Sequence, residues 1–117
     1  MNEYYFHVVI LNNCSFSNAA KEILINSNIK TTFTNVNSDN KNYYKTDKIN
    51  TFPQIYFKKE YNKGSLLLGG YNDLLYIFET FQNKKLTDDN ILQFKVKYIE
   101  WSDKALFRLI ELINNNV

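Results

Sequence analysis

The chain predicts an α/β domain, and three observations predict it. Its first third alternates strand, helix and strand; a hairpin signal follows; amphipathic helical stripes fill the remainder. At 117 residues it is long enough for one compact domain with a sizeable core and too short for two comfortable ones. Hydrophobic residues make up 44%, including nine Tyr and nine Phe, so a folded, aromatic-rich interior is expected rather than disorder.

Residues 4–11 (Tyr4-Tyr5-Phe6-His7-Val8-Val9-Ile10-Leu11) are almost uninterrupted apolar and β-prone, which suits a strand covered on both faces. Residues 16–27 carry Ala19, Ala20, Ile23 and Leu24 at helical spacing, with Asn28 as the stop. Thr31–Val36 is β-branched and aromatic, a second strand. The polar stretch 37–50 has room for a short helix around Asn40–Lys45. Gln54–Lys59 and Ser65–Leu68 read as strands joined by Glu60-Tyr61-Asn62-Lys63-Gly64, a hairpin loop with Gly near its end. Gly69-Gly70 then punctuates, and Tyr71–Thr80 forms a helix with Leu74, Leu75 and Phe78 on one side. Thr87-Asp88-Asp89 is a good helix start, although Val96–Ile99 would also suit a strand. The last helix has Ser102 as N-cap and Trp101 with Leu106 spaced as a hydrophobic staple. Its stripe of Leu106, Leu109, Ile110 and Ile113 is either core or a dimer seam.

Several function classes are disfavoured. A net charge of +2 with both signs scattered gives no electrostatic case for nucleic acid or an anionic membrane. No apolar stretch approaches a membrane span, and Met1-Asn2-Glu3 lacks the basic segment of a secretory signal. One cysteine excludes an internal disulfide framework, so a reducing, intracellular setting is expected. One Cys and one His cannot close a zinc site within a chain, and His7, mid-strand, reads as a structural histidine.

The single cysteine, Cys14, stands at the junction of the first strand and the first helix. A helix start presents unpaired N–H groups and the positive end of the macrodipole, which favour the thiolate, the reactive form. With three glycines and one proline in the chain, each has a backbone job to explain. Three rare-residue features line up in order: Cys14-Ser15-Phe16-Ser17 opening a helix, Thr51-Phe52-Pro53 before a hairpin, and Gly69-Gly70-Tyr71-Asn72-Asp73-Leu74 opening a second helix.

This trio resembles a glutaredoxin, of the monothiol Cys-x-x-Ser type, over roughly residues 4–80. The resemblance implies a thioredoxin-like fold: a central mixed four-stranded sheet flanked by helices, with a helical C-terminal extension. On that reading residues 1–80 form the glutaredoxin-like domain, and residues 81–117 an extension packed on it. It further implies Cys14 as nucleophile and a glutathione site made by Phe16, Thr51, Phe52, Pro53, Gly70, Tyr71, Asn72 and Asp73. Pro53 is expected to be cis, with the Phe52 backbone pairing with the glutathione cysteine as an added strand. Gly70 to Asp73 would hold the γ-glutamyl end, Asp73 taking its α-amino group.

Two departures from the family pattern stand out. Leu11 replaces a Lys that usually precedes the cysteine by three residues, which predicts a less acidified Cys14 or a substitute cation such as Lys45 or Lys48. Ser17 replaces the resolving thiol, so catalysis must use one protein sulfur.

The resemblance therefore implies glutathione-dependent monothiol oxidoreduction on mixed disulfides, with glutathione and glutathionylated proteins as partners, and a monomer in preference to a dimer. The alternative is a [2Fe–2S] cluster bridged by two Cys14 thiolates and two glutathiones in a homodimer, with Ser15 loosening the loop. Cys14 would then be the metal ligand; otherwise no metal is expected. A third reading is an unreactive interaction module whose extension docks a partner. The expected location is the cytoplasm, or a host cytoplasm or virion if the AT-rich residue bias reflects a large DNA virus.

Overall fold

The computed structural model describes residues 4–61 and 64–115. Met1-Asn2-Glu3 and the Asn62-Lys63 step of the hairpin loop lie outside the described residues. Two compact units are present, Met1–Leu74 and Leu75–Val117, and the division falls inside a helix.

The first unit is a mixed four-stranded sheet in the order β2-β1-β3-β4: β1 Tyr4–Leu11, β2 Thr31–Val36, β3 Gln54–Lys59 and β4 Ser65–Gly69. β1 and β2 run parallel, joined by helix α1, Ser15–Ser27; β3 is antiparallel to both β1 and β4. A crossover helix is the standard way to bring two strands parallel, whereas a short loop suffices for the β3–β4 hairpin. Asn28 ends α1 in the left-handed region at φ 61°, where asparagine is tolerated. Phe6, Val8 and Ile10 are buried on the face that α1 covers through Ala20 and Leu24, and the Lys21 ammonium lies over the Phe33 ring.

The opposite face corrects one expectation. Tyr5 and His7 are only half-buried while Val9 beyond them is buried, so β1 is covered on this face only towards its C-terminal end. Opposite residues of adjacent strands share a face, which places His7 with Thr32 and Tyr56, and Tyr5 with Lys58. The physical reason lies in the stretch between β2 and β3. It forms only a four-residue 3-10 turn, Lys41–Tyr44, none of it buried, and offers no long helix as cover. His7 meets the resulting polar demand with Nδ1 2.6 Å from Thr32 Oγ1 and Nε2 3.0 Å from Thr34 Oγ1.

The second unit holds most of α2 (Tyr71–Phe81) together with α3 (Asp88–Lys97) and α4 (Asp103–Asn114). Thr87 and Ser102 cap their helices, their hydroxyls accepting from the Asn90 and Ala105 N–H groups. The strand alternative at Val96–Ile99 is not adopted: α3 runs to Lys97 and Tyr98 closes it. Phe94, fully buried, centres an aromatic cluster with Tyr76, Phe81, Tyr98 and Trp101. Leu106, Leu109, Ile110 and Ile113 are all buried within the chain, so the α4 stripe is core. Among the described residues no helix is long and apolar enough to cross a membrane.

Candidate functional site

Cys14 is the N-cap of α1 with extended backbone, and its side chain makes no cap bond. The reversal from β1 into α1 is made by Asn13 at φ 62°, a conformation asparagine adopts more readily than most residues. The Cys14 N–H donates to Leu11 O (3.3 Å) and its carbonyl accepts from the Asn18 N–H (3.0 Å), which fixes the residue between strand and helix. The thiol is half-buried. Burial pushes its pKa up, but the Ser17 N–H, the Ser17 hydroxyl and the Phe16 N–H together hold it below the ordinary value. Among the described residues, the groups that lower it are those of the first turn of α1, and no lysine is one of them. With Leu11 at the position of the usual cation, the first turn of the helix does the work.

The thiol Sγ lies 4.0 Å from the Phe52 carbonyl oxygen, which accepts from it. The Phe52–Pro53 peptide bond is cis, as the sequence reading expected, and Pro53 is buried. The chain leading to this segment is anchored by Gln54, 1% exposed, whose side-chain amide donates to the Tyr44 carbonyl at 2.6 Å. Thr46 then folds the loop back: its Oγ1 accepts from the Lys48 and Ile49 N–H groups at 3.2 and 3.0 Å.

The third segment is a helix cap. Gly70 is the N-cap of α2, since its carbonyl accepts from the Leu74 N–H (3.1 Å). Its own N–H donates to Asp73 Oδ2 at 2.9 Å, one half of a capping box. The backbone demand falls on Gly69 instead, at φ 135°, where a Cβ would lie 2.1 Å from Asp73 Oδ2. A Cβ on Gly70 would meet only Pro53 O, at 3.6 Å.

These segments border a cleft of about 450 Å³, within the range of small-molecule sites. Phe16, Thr51, Phe52, Gly70, Tyr71, Asn72 and Asp73 line it, so seven of the expected binding residues meet there. Neither Pro53 nor Cys14 is a lining residue; the Cys14 sulfur lies 4.0 Å from the carbonyl oxygen of Phe52, which is one. The Phe16 ring, 57% exposed, stands 5.7 Å from the Tyr71 ring and forms one wall. Sequence reasoning missed Ile49, Leu67 and Gly69 as lining residues, and Gln54 as the anchor. Lys48, one of the two proposed substitute cations, lines the cleft; Lys45 does not. Thr46 and its turn were the one available signal for the Lys48–Ile49 edge.

A parallel pair and an antiparallel hairpin in one sheet, a cysteine N-cap following a central strand, and a cis proline whose preceding carbonyl lies 4.0 Å from the sulfur define a thioredoxin-like protein. Residues 4–61 match the family model described as Glutaredoxin, and the chain belongs to the glutaredoxins over that stretch. Searches of curated proteins and of solved structures gave no significant match. Glutaredoxins are in general thiol–disulfide oxidoreductases that use glutathione as reductant, which assigns this domain to glutathione-linked thiol redox chemistry.

Proposed function

We propose that this protein is a glutathione-dependent monothiol oxidoreductase that removes or transfers glutathione on mixed disulfides. One observation carries the reading: the single sulfur, with its pKa lowered, lies 4.0 Å from the carbonyl oxygen of Phe52, a residue that lines a cleft of about 450 Å³. In the first step the Cys14 thiolate attacks the glutathione sulfur of a protein–glutathione disulfide. The Cys14–glutathione disulfide forms, the substrate disulfide breaks, and the protein thiolate leaves and takes a proton from solvent. In the second step the thiolate of another glutathione attacks the sulfur already bonded to Cys14, giving oxidised glutathione and free Cys14 thiolate. No second protein sulfur is needed, in keeping with serine at position 17.

The cleft residues take these roles. The first-turn N–H groups of α2, at Tyr71 and Asn72, face a carboxylate. Asp73 pairs with the α-amino group beside it. The Phe52 backbone pairs with the ligand backbone, while Phe16 and Tyr71 flank the mixed disulfide. Lys48 supplies positive charge to the second carboxylate in place of a lysine at position 11. A reducing compartment such as the cytoplasm suits the chemistry, and a single chain suffices for it.

The test is turnover of a glutathionylated peptide with glutathione as reductant. Wild type is expected to turn over and Cys14→Ser to lose all rate above background; retained rate in Cys14→Ser overturns the reading. The cluster-binding alternative draws on the accessibility of Cys14 beside exposed Phe16, which leaves one thiolate per chain for a second chain to meet. Anaerobic reconstitution with iron, sulfide and glutathione separates it: visible absorption together with a dimer would favour it, and neither would remove it.

A further inference from the structure

We propose that the free edge of strand β2 and the adjoining face of α1 form a two-fold interface with a second copy of this chain, joining two sheets into one. None of the residues involved lines the cleft, so the interface is independent of the proposed reaction. The Lys30 and Val36 carbonyls accept from the Phe6 and Asn12 N–H groups at 3.0 and 2.8 Å, and β1 and β2 keep unbroken parallel register between them. Backbone groups alternate sides along a strand. Even-numbered residues of β2 therefore bond to β1, and the N–H and C=O groups of Thr31, Phe33 and Asn35 point out of the sheet. β2 has no strand on that side, and these groups have no hydrogen-bond partner among the described residues.

An open edge is usually blunted by a charge, a proline, a bulge or a short strand. β4, the other edge, has a register shift against β3. β2 has none of these devices: Thr31-Thr32-Phe33-Thr34-Asn35-Val36 is uncharged, six residues long and in register throughout. A two-fold axis reverses the strand, so β2 meets its copy antiparallel. With the axis at Phe33, each Phe33 faces the second copy's Phe33 and each Thr31 its Asn35, and every outward group gains a partner. Thr32 and Thr34 then face one another in the intervening pairs, a favourable cross-strand match. A shift by two residues would leave Thr31 or Asn35 outside the pairing.

Helix α1 supplies a second observation. The Lys21 ammonium lies 5.5 Å from the Phe33 ring centroid, which sets this side of α1 over the free edge and level with the axis. Asn18, Lys21, Glu22 and Ile25 border a shallow groove of about 270 Å³, and Ile25 is 55% exposed. The same axis runs α1 antiparallel to its copy and sets Lys21 of each chain against Glu22 of the other. Glu22 has no cationic partner among the described residues. The patch is thus complementary to itself in charge and in hydrogen bonding, which favours a second copy over a foreign strand.

Sedimentation equilibrium of the full chain, without iron or glutathione, tests the interface over micromolar to millimolar concentrations. A dimer of twice 13.9 kDa is expected, and a protein monomeric throughout overturns the proposal. Asn35→Pro removes only an outward N–H and should raise the dimer Kd about tenfold or more. Glu22→Lys should raise it about tenfold, and adding Lys21→Glu should restore most of the affinity; a swap that restores nothing refutes the helix pairing. Amide hydrogen exchange reads the strand register in wild type. Thr31, Phe33 and Asn35 should gain protection as concentration rises, while Thr32 and Thr34 stay protected throughout. A dimer whose exchange at the first three amides ignores concentration is built elsewhere, at Cys14 for example, and sinks the proposal even if Asn35→Pro fails to fold.

Discussion

Two adjacent glycines, Gly69 and Gly70, should respond very unequally to the same substitution. At Gly69 the backbone has φ 135°, and an added Cβ would lie 2.1 Å from Asp73 Oδ2, 2.5 Å from its Cγ and 2.9 Å from its Cβ. Rotating the carboxylate away relieves the first contact but breaks the 2.9 Å bond to the Gly70 N–H, and the Cβ contact stays. An L-residue held at such a φ costs about 1–3 kcal/mol, and a lost cap interaction about 1 kcal/mol. Gly69→Ala should therefore destabilise by roughly 2–4 kcal/mol. At an m-value of about 2 kcal/mol/M, that lowers the urea midpoint by roughly 1–2 M. Gly70→Ala meets an ordinary 3.6 Å contact and no positive φ, so its cost should stay within about 1 kcal/mol. Urea unfolding followed by far-UV circular dichroism measures both. Equal effects of the two substitutions, or a harmless Gly69→Ala, would refute the account of this turn.

Other expectations follow from the same structure. Lys48→Ala should raise the KM for glutathionylated peptide several-fold with little change in kcat, and the difference should shrink at high salt because the lysine is exposed; a salt-independent KM equal to wild type removes Lys48 from the binding role. Burial, then Lys58, lowers the His7 pKa from 6.5, so the unfolded chain binds the extra proton first. Stability should accordingly fall as pH drops below 6.5 toward the depressed folded value. His7→Gln should flatten that slope, as pH-dependent urea midpoints would reveal. Phe94→Ala, which empties the centre of a five-ring cluster, should cost about 3–5 kcal/mol; a loss under 1 kcal/mol in the same unfolding assay would show that the cluster does not hold the second unit together.

Periodicity and punctuation made the elements legible, because each boundary had a local cause. Asn28, Thr87 and Ser102 stop or start helices through their own backbone or side-chain chemistry, which is written within four residues of sequence. The cover over β1 was not legible in that way. Whether Tyr5 and His7 meet a helix or water depends on what residues 37–50 become, and a polar segment with a 3-10 turn gives little periodic signal. The site divides along the same line. Cys14, the Thr51–Pro53 segment and the Gly-Gly turn are compact motifs and could be found. Gln54 reaching back to Tyr44, and Lys48 brought to the cleft by a loop, are pairings across distance that no local pattern encodes.

The Leu11 departure illustrates why a side chain is an incomplete guide to what a position does. A lysine at that place would act on the sulfur through its charge, and its loss predicts a weaker acid. Yet the Leu11 backbone still holds Cys14 with its carbonyl and Ser17 with its N–H, and the Ser17 and Phe16 N–H groups with the Ser17 hydroxyl lower the thiol pKa. Dipoles fixed by backbone geometry act at short range and beside a half-buried sulfur, where salt screens them far less than a mobile surface cation. The acidity of Cys14 should therefore be nearly independent of ionic strength, while ligand capture, for which exposed Lys48 is proposed, should not be. Separate salt dependences for alkylation and for KM are what this division of labour requires, and parallel ones would mean that a cation acts on the sulfur after all.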